Sequence, residues 1–225
     1  MNRITELVEE LRLVLFDQGT MLLDSILPLL IFLITNAVLG LNYALVGALA
    51  VAGLFAIYRI ARKENLVYAL GGLSGVLLAA VFAKVSGSEA GFYLPGLITG
   101  TITILLCVIS VVIKRPLVAW SSFLVRRWPL AWYWHPRVIP AYNEVTILWA
   151  VVFSARLVLE LLLVQREATN ALGAVRVFLG WPLTIILLIV SYLYGLWRLS
   201  HLRGPSVEEF KADTAPPWEG QKRGF

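Results

Sequence analysis

Long runs of apolar residues recur along this chain, at 21–39, 43–58, 66–83, 95–113, 141–164 and 175–197. Each approaches the roughly twenty residues a helix needs to cross a hydrocarbon core about 30 Å thick. A backbone in lipid must satisfy its own hydrogen bonds, and runs of this length do so as helices. The expected fold class is therefore all-α, a polytopic transmembrane helical bundle of about six spans. A mean hydropathy of +0.80 agrees, and only 15% of the 225 residues are charged, too few to coat a soluble domain of this size.

The positions of lysine and arginine set the expected orientation. Most of the 19 fall at the N-terminus, around 59–63, within 114–137, and after 197. With six spans these segments share one face, which the positive-inside rule places in the cytoplasm with both termini. The net charge of +5 is thus a statement about topology, and no nucleic-acid partner is expected. The localisation this implies is a cytoplasmic (inner) membrane, multi-pass.

Three segments outside the spans carry their own patterns. Residues 1–20 place Ile4, Leu7, Val8, Leu11, Val14 and Leu15 at helical spacing, with Glu6, Glu9, Glu10 and Arg12 mostly opposite. This predicts an amphipathic interfacial helix on the cytoplasmic side. Residues 114–140 read KRPLVAWSSFLVRRWPLAWYWHPRVIP, basic at intervals and crowded with aromatics. An interfacial helix is the simpler account, because its arginines make a re-entrant hairpin costly. Trp120, Arg126, Arg127, Trp128, Trp132, Trp134 and Arg137 are its candidate headgroup or interface residues, with anionic lipids as the expected partners. The last segment, 198–225, is rich in Pro, Gly and charge and reads as a flexible cytoplasmic tail.

Two charges lie deep in an apolar run. Arg156 and Glu160 of SARLVLELLL (154–163) share a helix face one turn apart. Arg156 sits roughly 22 Å along the axis from Ala141 at 1.5 Å per residue. They form a candidate intramembrane charge pair, either a structural tie between spans or an occluded site for an ion, proton or anionic headgroup. Asp24, Asn143 and Glu144 sit toward the cytoplasmic ends of their spans; with Arg62, Lys63 and Arg115 they make a possible cytoplasmic vestibule. Pro28, Pro95 and Pro182 fall within or at the start of spans and are candidate helix breaks. Gly71 with Gly75, and Gly96 with Gly100, carry the spacing that permits close helix contact.

Catalytic chemistry has little to stand on. The sequence shows no phosphate loop, dinucleotide fingerprint or Cys/His cluster with metal spacing, and Ser74, Ser154 and Ser191 have no histidine nearby in sequence. The expectation is a non-enzymatic protein with no cofactor and no metal.

Three phrases in order, GSEAGFYLPGLITG (87–100), SVVIKRPLVAW (110–120) and FLGWPLTIILL (178–188), flank a span that holds an arginine. This layout resembles the DUF3159 family of bacterial multi-span membrane proteins of unknown function. It is also distantly similar to inner-membrane septation protein A. The matching positions are Leu94, Pro95 and Gly96; Arg115, Pro116 and Leu117; Arg156; and Gly180, Trp181, Pro182 and Leu183. Ala119 stands where glycine is expected. The resemblance implies no catalytic residue, cofactor or substrate; it hints at envelope maintenance or contact with division and wall-synthesis machinery. The leading expectation is a structural or interaction component of a membrane complex, binding other membrane proteins or itself. A small transporter or channel component using the Arg/Glu pair, and a lipid-handling protein, are the alternatives.

Overall fold

The computed structural model describes residues 19–63 and 66–225, with side chains for 27–63 and 70–225. The expected N-terminal helix lies outside the described residues, except that Gly19 and Thr20 already belong to the first helix. The described chain is all-α. Its long helices are α1 (Gly19–Leu39), α2 (Leu41–Ala61), α3 (Leu66–Ser86), α4 (Leu94–Val112), α7 (Ile139–Gln165) and α9 (Trp181–Leu202). The short ones are α5 (Leu117–Arg126), α6 (Leu130–Tyr133), α8 (Thr169–Phe178) and α10 (Val207–Lys211), and a 3-10 turn, Glu89–Tyr93, leads into α4.

Among the described residues four stretches are long and apolar enough to cross a membrane: Leu41–Ala61, Glu89–Val112, Ile139–Gln165 and Thr169–Leu202. Their outer faces are apolar, with Val46, Leu54, Ile57, Leu105, Ile109, Val151 and Val158 all exposed. Such faces are tolerable in lipid and untenable in water. The chain is an integral membrane protein of several apolar helices.

Two compact units divide it: Met1–Ile98 with Glu160–Trp181, and Thr99–Leu159 with Pro182–Phe225. In the first, α1 packs on α2, α2 on α3, and α3 on the 3-10 turn. Small residues let these backbones approach: Ala44, Ala48, Ala79, Ala80 and Ala83 are all buried around Phe32, Phe92 and Tyr93. The Phe32 and Phe92 rings stack at 3.9 Å. The turn from α1 to α2 is one residue long, because Gly40 takes φ +82°, a left-handed conformation costly for any side chain.

In the second unit, the buried side chains Trp132, Tyr133, Val138, Tyr142 and Val145 form an aromatic core. The Ser110 hydroxyl accepts the Leu117 N–H at 3.0 Å, and the Thr146 hydroxyl accepts the Val118 N–H at 3.3 Å. These bonds satisfy backbone donors at the start of α5 that have no partner within the helix. Helices α7 and α9 run past each other in opposite directions, joined by Trp149 Nε1 donating to Ser191 Oγ at 2.8 Å.

Four expectations need correction. The run 175–197 is not one helix: α8 ends at Phe178 and α9 begins at Trp181. The break precedes Pro182, which takes the second position of α9, where its missing N–H costs nothing. Pro95 likewise takes the second position of α4, so of the three prolines only Pro28 lies inside a helix. Gly71 and Gly75 face open space rather than a neighbouring helix. Segment 198–225 is not a loose tail: α9 continues to Leu202, and Val207, Gln221 and Phe225 are buried. Its glycines act as points of close approach: a Cβ on Gly204 would stand 3.0 Å from Arg137.

Candidate functional site

The first unit holds a buried ion pair. Glu160, near the end of α7, is 3% exposed. Its Oε2 accepts a hydrogen bond from Arg176 Nη2 of α8 at 2.9 Å. The same Nη2 donates to the Tyr93 carbonyl at 2.9 Å, and the guanidinium lies over the Tyr93 ring, 5.2 Å from its centroid. Arg176 thus joins the turn before α4 to both helices of the α7–α8 hairpin.

One glycine makes room for its side chain, and a second for its main chain. An added Cβ on Gly96 would fall 2.0 Å from Arg176 Nη1, and one on Gly180 would fall 2.4 Å from the Arg176 carbonyl oxygen. Gly96 of LPG (94–96) thus lies against the guanidinium, while Gly180 of GWPL (180–183) closes on the main chain of Arg176, four residues back. A planar guanidinium held by a carboxylate, a carbonyl and an aromatic face has its charge answered on several sides. Close walls leave the pair in fixed geometry, where a buried ion pair must be to offset its desolvation.

Sequence reasoning named Arg156, which is half-buried, beside Glu160, and did not name Arg176, sixteen positions on through the α7–α8 turn, which bonds the same carboxylate. Arg176 was visible as a charge at the edge of a span. A hairpin that brings the end of one span beside the start of the next was the signal that could have found it.

The expected vestibule divides between the units. Asp24, Arg62 and Lys63 belong to the first; Asn143, Glu144 and Arg115 belong to the second. Arg62 lies over the Tyr58 ring at 5.1 Å, and Arg115 over the Trp134 ring at 4.5 Å. Glu144 receives a two-pronged contact from Arg198, Nε to Oε2 at 2.7 Å and Nη2 to Oε1 at 2.8 Å. The Tyr194 hydroxyl donates to Oε2 at 2.8 Å. This second tie joins α7 to α9 near one end, and sequence reading missed both Arg198 and Tyr194 as partners.

The arginines of 114–140 lie over indoles: besides Arg115, Arg126 lies over Trp128 at 4.9 Å and Arg137 over Trp218 at 5.4 Å. Trp120, Arg127 and Arg137 are exposed, and Arg126, Trp128 and Trp134 are half-buried. Trp132 corrects its assignment as an interface residue. It is fully buried, and its Nε1 donates to the Pro205 carbonyl at 2.9 Å. The α5–α6 segment is thus partly core. Phe225, unremarked as a core residue from sequence, stacks on Tyr142 at 4.3 Å, and its main-chain oxygen accepts Arg126 Nε at 2.9 Å.

Among the described residues no cluster of His, Cys, Asp and Glu is arranged to hold a metal ion. The chain matches, over residues 19–198, the family described as "Protein of unknown function (DUF3159)". No curated protein and no solved structure matches it.

Proposed function

This chain belongs to the DUF3159 family of proteins of unknown function, and on that premise we propose that it is a non-catalytic structural or interaction component of a membrane complex. Its place is a bacterial cytoplasmic membrane, with both termini in the cytoplasm and anionic lipids and other membrane proteins as partners. The observation that carries this reading is the packing around Arg176. A carrier's charged residue exchanges partners and reaches water; this one is bonded to Glu160 and the Tyr93 carbonyl and closed in by Gly96. Those features belong to a fixed tie between helices. The Arg–Trp stacks of 114–137 and Trp218 support a rigid basic face suited to headgroups or an acidic partner.

The test pairs flux with stability. Purified protein in liposomes is expected to pass no ions or protons, and Glu160→Gln is expected to lower its melting temperature. Photo-crosslinkers along the basic face, used in native membranes, are expected to give discrete protein adducts. Flux in the native protein that vanishes in a normally folded Glu160→Gln variant overturns the proposal in favour of transport.

A further inference from the structure

Helix α5 is apolar on both sides. On its inner side Val118 and Ala119 are buried, and the Phe123 ring meets Tyr133 at 6.4 Å. Its outer side carries Trp120, Leu124 and Val125, which are 37%, 62% and 84% exposed. A face of this kind is costly in water. Val112 and Ile113, also exposed, lead into it, so the apolar surface of a spanning helix adjoins it in the chain. The ten residues of α5 reach about 15 Å, half the depth of a hydrocarbon core, so α5 does not cross. Cations mark both of its ends: Lys114 and Arg115 precede it and Arg127 follows it, all three exposed. Among the described residues no carboxylate pairs with any of them. Arg126, by contrast, is half-buried and donates to the main-chain oxygen of Phe225.

Cations at both ends, with an apolar strip between them, describe a helix that lies along a membrane surface. Both ends then reach phosphates while the strip rests on acyl chains. An acidic protein segment answers the charge but leaves Leu124 and Val125 uncovered. A lipid supplies the anion and the apolar cover in one molecule, and cations without carboxylate partners favour a lipid of net negative charge. We propose that the outer face of α5 docks in the plane of an anionic leaflet. Lys114, Arg115 and Arg127 hold lipid phosphates, and Trp120, Leu124 and Val125 sit below them among the acyl chains. The inference rests on the membrane placement proposed above and divides its basic face: the outer cations hold headgroups, while Arg126 holds the segment that ends in Phe225.

The experiment titrates the full chain, in a neutral detergent, with short-chain phosphatidylglycerol or phosphatidylcholine. Melting temperature is the readout, since a ligand of the folded state raises it by mass action. Phosphatidylglycerol is expected to give a saturable rise at lower concentration than phosphatidylcholine, and glycerol phosphate none. Lys114→Gln/Arg127→Gln, which changes exposed side chains only, is expected to keep the lipid-free melting temperature and to weaken the phosphatidylglycerol response roughly tenfold. Leu124→Ser/Val125→Ser is expected to fold as well and to weaken the response to both lipids. Equal responses to the two lipids in the native chain overturn the proposal, as does a phosphatidylglycerol response that survives either double variant. A rise with glycerol phosphate, or with polyglutamate and not phosphatidylglycerol, overturns it in favour of a soluble anion or an acidic partner. None of these outcomes alters the flux and Glu160→Gln measurements, so the docking of α5 can fail while the structural role stands.

Discussion

Glu160 and Arg176 form an ion pair at 2.9 Å whose two side chains are 4% and 16% exposed. Removing one partner from such a pair leaves a buried charge without its counterion, at a cost of about 3–5 kcal/mol. Glu160→Gln is therefore expected to destabilise the protein by an amount in that range. Glu160→Gln/Arg176→Met, which removes the buried charge altogether, is expected to recover part of the loss. Thermal unfolding in a fixed detergent measures both. A Glu160→Gln variant within 1 kcal/mol of the native protein, on the scale of a solvent-exposed pair, would sink the structural reading of this contact.

Gly180 and Gly96 are expected to differ in what they tolerate. A Cβ on Gly180 meets the Arg176 carbonyl oxygen, a backbone atom fixed in the α8–α9 break, whereas one on Gly96 meets the end of the flexible arginine side chain. Gly180→Ala is expected to abolish or severely reduce accumulation of folded protein. Gly96→Ala is expected to fold, with the guanidinium pushed off Tyr93 and stability lowered by about 1–3 kcal/mol as in overpacked cores. The coupling is checked by a double-mutant cycle: in an Arg176→Ala background, Gly96→Ala is expected to have little effect. Equal effects in both backgrounds would remove Arg176 from the explanation.

The long apolar helices were legible because span length and hydrophobicity are properties of a contiguous stretch. The residues that join elements were harder to read. Glu160 stood out as a lone acid in an apolar run, but helical periodicity offers only neighbours three or four positions away, and so named Arg156 without Arg176. Arg176 is reached through a hairpin, a relation that periodicity does not contain. Pro182 signalled an interruption and Gly96 the close approach, yet neither tells which atom lies opposite. The tail misled for a different reason. Pro, Gly and charge mark a segment that cannot build a core alone; this one adds to a core built by others. Its Ser206 and Glu209 do carry a readable signal, the S-x-x-E capping box.

Phe225 and Gly195 fit one another as ring and recess. A Cβ on Gly195 would lie 2.4 Å from the Phe225 ring, and all three nearest atoms belong to that ring. Gly195→Ala is expected to displace the segment 220–225, seen as faster hydrogen exchange there and as altered Trp128 fluorescence. Phe225→Ala is expected to do the same, at a cost of up to about 3 kcal/mol for a lost buried aromatic ring. Combined, the two changes are expected to be strongly non-additive, since the added methyl then occupies space the ring has left. Additive effects would show that Phe225 does not occupy this recess.

Acid is expected to loosen the segment 206–221 in two steps. His135 packs edge-on against Trp218 at 5.3 Å and Phe210 at 6.4 Å. Burial, with Arg137 adding to it, holds its pKa below the ordinary value. The folded state thus favours neutral imidazole, a contribution complete above about pH 6.5 and lost as pH falls through the lower folded value. Glu209 is held below the usual carboxylate range, chiefly by the Ser206 N–H and also by the Glu219 and Gly220 amides. Its contribution is complete above about pH 4.3 and lost as pH falls through its own depressed value. Protection of amides 206–221, corrected for intrinsic exchange, is expected to fall first below about pH 6.5 and again below about pH 4.3. His135→Gln is expected to remove the upper step and Glu209→Gln the lower. An upper step that survives His135→Gln would show that the imidazole does not govern the docking of this segment.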